Sequence, residues 1–127
     1  MKQKLAAVLV LALVAVGGTY APSTSGLMHF ALAKSMPAAD SSVPAPSAVQ
    51  LWFTEAPQTN SVSIRLIEGA GELVETSLPK MDEEDDKAAS VSVEGALGSG
   101  EYTVAWRGIG ADGHVVRGEY AFSVSAR

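Results

Sequence analysis

Asp112, Gly113 and His114 place a carboxylate and an imidazole two positions apart, with a glycine between them. On an extended segment, residues two apart project to the same side. Both groups could therefore address one ion, while the glycine lets the backbone turn close to it. An Asp-Gly-His turn joining two strands by ordinary loop chemistry fits the same triplet. The only other histidine, His29, stands where a leader gives way to the body of the chain. A histidine that opens a mature chain offers its α-amine and its Nδ1 in one chelate. That pairing suits copper(II), which favours tetragonal nitrogen and oxygen ligands. A surface histidine on an edge strand would occupy the same position without any such role.

The rest of the inventory is short. Cysteine is absent, so a metal site must draw on His, carboxylate, Met or backbone groups. Without a disulfide, an exported domain is stabilised by packing alone. No hydrolase or transferase constellation is present, because there is no Cys, there are only two His, and no Gly-rich phosphate loop follows a strand. Residues 29–127 carry 7 basic and 14 acidic side chains. That balance argues against nucleic acid or anionic membrane surfaces as partners, since both select for Lys and Arg. The acidic run Asp82 to Asp86 reads as a solvated loop tip, with weak cation capture as its alternative.

The elements that must position these groups follow from hydrophobic period. Lys2 and Lys4 precede an apolar run from Leu5 to Val16, the layout of a secretory signal peptide. A transmembrane helix needs roughly 20 apolar residues, more than this run supplies. Residues 1–28 are read as signal peptide and leader, and 29–127 as one domain. From His29 the pattern alternates. Val49, Leu51 and Phe53 share one face of a strand over Ala48–Thr54; Val62, Ile64 and Leu66 share one over Ser61–Ile67. Strands are also expected at His29–Ser35, at Glu72–Leu78, at Ala88–Val93, around Tyr102, Val104 and Trp106, and from Val116 to Val124. Seven short period-two strands divided by turn residues predict an all-β fold. They imply an antiparallel β-sandwich or Greek-key barrel, immunoglobulin-like, with little or no helix.

Five segments in this order resemble the CopC-type copper resistance proteins. His29 opens HFALAKSMPAADS, similar to the family's H-x-x-L-x-x-S-x-P-A start. VQLWFTE, from Val49 to Glu55, resembles V-x-L-x-F-S-E, with Thr54 in place of Ser. GEYTVAWR, from Gly100 to Arg107, resembles G-x-Y-x-V-x-W-R. ADGH, from Ala111 to His114, and GEYAFSV, from Gly118 to Val124, resemble the closing D-G-H and G-x-x-x-F-x-V segments. The resemblance implies one copper(II) ion held by His29, Glu55, Asp112 and His114. Glu55 ends a strand, where a side chain can point off the sandwich edge. Two imidazoles with two carboxylates also suit copper(II).

The implied role is an exported, periplasmic copper carrier or buffer, not an enzyme. It would be a monomer that passes its ion to a membrane transporter. Two rival readings are a metal-free β-sandwich interaction module of the cell envelope and a histidine-brace copper oxidase. Three features depart from the family pattern. Met28 is a poor residue before a signal-peptidase cut; Ala21 and Gly26 are better, and the A-x-A match at Ala31 to Ala33 would delete His29. Cleavage that frees His29 is nevertheless expected. Met28, Met36 and Met81 are scattered, so the Met-rich copper(I) site of some family members is not expected. Trp52 falls on the polar face of its strand, where partial surface burial is expected.

Overall fold

In the computed structural model, which describes residues 29–126, the alternating segments form nine strands and no helix. In chain order these are β1 (Leu32–Met36), β2 (Ser42–Val43), β3 (Ala48–Phe53), β4 (Ser63–Glu68), β5 (Leu73–Val74), β6 (Lys80–Met81), β7 (Ala88–Ser92), β8 (Gly100–Ile109) and β9 (Val115–Val124). One sheet has the order β1-β3-β7-β6, the other β2-β9-β8-β4-β5. The immunoglobulin-like sandwich expected from the period-two segments is thus present. All seven expected strands are found. The two additional ones, β2 and β6, are two residues long and form where no strand was expected, and β5 keeps two residues of the expected Glu72–Leu78. β2 runs parallel to β9, and every other strand pairing is antiparallel. The signal-peptide reading falls on residues 1–28, outside the described residues.

The inward faces are those that the alternation assigns. Val49, Leu51, Phe53, Ile64, Leu66, Val104 and Phe122 are buried between the sheets, and Trp106 and Tyr102 join them. Val62 and Tyr120, also expected inward, are half-buried and pack against this core. Trp52 faces outward and is half-buried, with the Lys34 Nζ 4.4 Å from its ring centre as a cross-strand cation–π pair. The acidic loop folds on itself: Asp82 Oδ2 accepts from the Glu84 N–H at 3.1 Å, and Asp85 Oδ1 from the Lys87 N–H at 3.0 Å.

Phe30 lies within the segment expected as the first strand, His29–Ser35, but ahead of the strand that forms there. Phe30, two residues before β1, is buried and stacks on Phe53 with ring centres 4.7 Å apart; its edge meets Trp106 at 6.4 Å. Its ring lies over Gly108, where an added Cβ would stand 2.6 Å from the Phe30 Cζ. At Gly110 an added Cβ would stand 2.7 Å from the Phe30 Cβ. Two glycines on one side of the β8–β9 hairpin thus make the seat for one aromatic ring. Burying a Phe side chain stabilises by about 1.5–3 kcal/mol.

This packing fixes two expected outcomes. Phe30→Ala should lower unfolding stability by about 3–5 kcal/mol, the cost of an aromatic cavity. Gly108→Ala should lower it by about 1–3 kcal/mol through overpacking. Urea unfolding measures both; a Gly108→Ala protein as stable as its parent would show that the ring is not seated there.

Candidate metal centre

Three chain segments meet at one end of the sandwich. The start of β1 pairs with the end of β3, Leu32 opposite Phe53. The β8–β9 hairpin turns beyond the Ile109–Val115 pair. Residues 29–31, 54–60 and 110–114 are therefore neighbours, although the first two adjoin β1 and β3 of one sheet and the third joins β8 to β9 of the other. Hydrogen bonds close the gap between the sheets. The Gln58 side-chain amide donates to the Gly110 carbonyl at 2.9 Å, and the Gln58 N–H donates to the Ile109 carbonyl at 2.8 Å. The buried Ser61 hydroxyl accepts from the Ile109 N–H at 3.1 Å.

Thr54 secures the chain on which His29 stands. Its hydroxyl donates to the His29 carbonyl at 2.7 Å and accepts from the Ala31 N–H at 3.0 Å, while the Thr54 N–H donates to the Ala31 carbonyl at 2.8 Å. A single hydroxyl oxygen both donates and accepts here, a role that Thr and Ser can each fill. His29 itself is exposed. It is held by Thr54 on one side and by the buried Phe30 on the other.

Glu55 follows Thr54 and is half-buried. Its carboxylate turns toward Gly110: an added Cβ there would stand 3.0 Å from Glu55 Oε2 and 3.5 Å from Asp112 Oδ1. The missing side chain of Gly110 thus leaves a point on which two carboxylates and the N-terminal segment converge.

Asp112 and His114 form one unit. Asp112 Oδ1 accepts from the His114 N–H at 3.0 Å, and Asp112 Oδ2 lies 2.9 Å from His114 Nδ1. Gly113, at φ 86°, lets the turn close. With the carboxylate accepting, Nδ1 carries the proton and Nε2 keeps its lone pair. The His114 side chain is 83% exposed, so that lone pair is accessible. The hydrogen bond from the His114 ring holds the Asp112 carboxyl below its ordinary value. The His114 backbone N–H and the charges of His114 and His29 act in the same direction. The His114 imidazole is raised above its ordinary value, first by that hydrogen bond and then by the Asp112 charge.

All four residues singled out in the sequence thus reach the same end of the domain, Asp112 and His114 in direct contact and Glu55 beside them. Among the described residues, however, no three His, Asp or Glu close into a group that could hold a metal ion. Two imidazoles and two carboxylates without a thiolate form a donor set that fits copper(II). Met36 and Met81 lie on opposite edge strands of the four-stranded sheet, so among the described residues the thioethers do not cluster. The residues that sequence reasoning did not single out are Phe30, Gln58, Ser61, Gly108 and Gly110; they position the others.

Comparison with known proteins agrees with this architecture. A family model described as "CopC domain" matches residues 32–125. Protein YobA of Escherichia coli strain K12 is 35% identical over 97 residues, covering 76% of this chain and 78% of that protein. Copper resistance protein C of Xanthomonas campestris pv. juglandis is 31% identical over 114 residues, covering 80% of this chain and 84% of its own. The crystal structure of PcoC, a methionine-rich copper resistance protein from Escherichia coli, superposes with a TM-score of 0.70 at 29% identity, covering 77% of this chain and all of that one.

The role of Thr54 is testable by substitution. Thr54→Ser should preserve stability. Thr54→Val, which fills the same space without a hydroxyl, should cost about 1–3 kcal/mol and speed exchange of the Ala31 amide hydrogen. Equal thermal unfolding of both variants would remove Thr54 as the clamp.

Proposed function

The chain belongs to the CopC family, and from that premise we propose that it is an exported copper(II) carrier or buffer of the cell envelope, acting in copper resistance and homeostasis. The observation that carries this reading is the convergence at Gly110 of Glu55 and Asp112, beside a His29 anchored by Phe30. The names of the Xanthomonas protein and of PcoC place copper resistance among its relatives.

In this reading one copper(II) ion takes His114 through Nε2 and His29 through Nδ1, with the α-amine of His29 as a further donor once the leader is removed. Glu55 completes or guards the site. Asp112 fixes the tautomer and direction of His114, as carboxylates that accept from a metal-bound histidine commonly do. The donors stand on three segments at one end of the sandwich, so one ion would link the N-terminal segment, the end of β3 and the β8–β9 hairpin. No covalent step is needed: the cargo is taken up, held, and passed as a monomer's ligand to a membrane importer or efflux system.

Proton competition follows from the same geometry. A histidine binds metal only when neutral. Asp112 favours the protonated form of His114 and raises its value above 6.5, so protons compete from a higher pH than at an unpaired imidazole. Copper affinity should therefore fall as pH drops through that raised range and level off above it. Equally tight binding at about pH 4, below the histidine range, would contradict this ligand set.

A competitive copper(II) titration of the protein purified after export tests the reading directly. One equivalent should bind far more tightly than zinc. Asp112→Asn should weaken binding by about 10–100-fold, and His114→Ala by more. Binding no stronger than that of a generic acidic surface would sink the carrier reading in favour of a metal-free interaction module.

A further inference from the structure

The outer face of the five-stranded sheet carries positive charge that the acidic body does not balance locally. Register places Ser63, Arg107 and Arg117 in one row across β4, β8 and β9, and Arg65, Ala105 and Glu119 in the next. The three arginines are exposed. With Glu119 they line one shallow groove of about 710 Å³. Residues 29–127 contain 7 basic and 14 acidic side chains, so this single face gathers three of the seven cations.

Like charges directly opposite each other on antiparallel strands are unfavourable, and Arg107 stands opposite Arg117. Among the described residues the one side-chain ion pair is His114 with Asp112. Among the described residues no carboxylate is therefore paired with these guanidinium groups, although acidic side chains outnumber basic ones two to one over 29–127. Glu119, the one acid in the groove, sits opposite Ala105. The positive groove is thus kept open at a cost in self-repulsion.

We propose that this face is a docking surface for a carboxylate-rich segment of a protein partner. The guanidinium fork matches a carboxylate with two parallel hydrogen bonds. Three forks on strands about 4.8 Å apart can hold several carboxylates of one segment together. An anionic membrane is a poorer match, because a flat charged surface also meets the acidic remainder of the domain. A short acidic segment lies within about 8 Å of the arginines, inside the screening length at physiological salt, and is governed by them. Two of the arginines stand on the same hairpin that bears Asp112 and His114, since β8 ends two residues beyond Arg107. A partner held here would sit beside the candidate metal centre, but the docking surface does not depend on which metal, if any, that centre binds.

Fluorescence anisotropy with a labelled hexaglutamate peptide tests this on the exported protein, without added metal. Saturable binding is expected. Arg65→Ser/Arg107→Ser/Arg117→Ser should weaken it at least tenfold, the equivalent of one charge-assisted contact, and Glu119→Gln should tighten it. Circular dichroism checks that the triple variant folds, and the single Arg107→Ser variant, expected to bind less tightly, covers the case in which it does not. Equal binding by parent and variants, or no binding, overturns the proposal. So does an arginine-dependent preference for phosphatidylglycerol vesicles over the peptide, which would assign the face to lipid. Arginine-dependent self-association in sedimentation, with no peptide binding, would assign it to a second copy and overturn the proposal equally.

Discussion

The seating of Phe30 over Gly108 and Gly110 is the contact on which the functional end of this domain depends. It is a contact between sheets: the aromatic ring leads into β1 of one sheet, and its seat is the end of β8 in the other. Without it, the three segments at this end would be tied by the hydrogen bonds of Thr54, Gln58 and Ser61. With it, the residue just before the ring is fixed over the hairpin. His29 needs no structure of its own. It inherits its position from a buried neighbour and from the Thr54 hydroxyl. The same absent side chain at Gly110 that admits Phe30 also admits the Glu55 carboxylate. Packing and chemistry therefore share one vacancy, and neither can be altered alone.

Much of the architecture could be read from period two, because the more buried residues of β3, β4, β8 and β9 alternate with more exposed ones. Val49, Leu51 and Phe53 are inward for the reason their spacing suggests. What escaped was of two kinds. β2 and β6 are too short to show a period; they exist because Ser42–Val43 and Lys80–Met81 find a neighbouring strand already in place. Because Ala31 and Ala33 blur the contrast between the two faces of the expected His29–Ser35 strand, and the strand that forms begins only at Leu32, Phe30 escaped. Its partners are glycines some 80 positions away, and a glycine in a sequence does not say what fills the space it leaves.

The candidate site was legible in a different way. Asp112 and His114 announced themselves by spacing, and the structure shows why: the turn is closed by the very side chains in question, Asp112 bonding both the backbone and the ring of His114. Glu55 was not legible from spacing, and came only from the resemblance of its strand to those of a known family. Its position depends on where β3 ends relative to a hairpin in the opposite sheet, which is tertiary information. Thr54 looked like a minor departure from the family pattern, yet its hydroxyl makes two of the bonds that hold the N-terminal segment.

The anchoring of the N-terminal segment also bears on processing, which is a matter of rates as well as contacts. A protease must draw several residues into an extended conformation in its own cleft, so it attacks backbone that is locally open. The Ala31–Ala33 stretch meets the small-residue preference of signal peptidase, but Ala31 is bonded to Thr54 and Leu32 is paired with Phe53. Phe30 is buried one residue earlier. Once the sandwich has closed, trimming from the front of the chain meets engaged backbone immediately beyond His29. The closed fold thus withholds the Ala31–Ala33 motif, at which a cut would remove the exposed His29 imidazole.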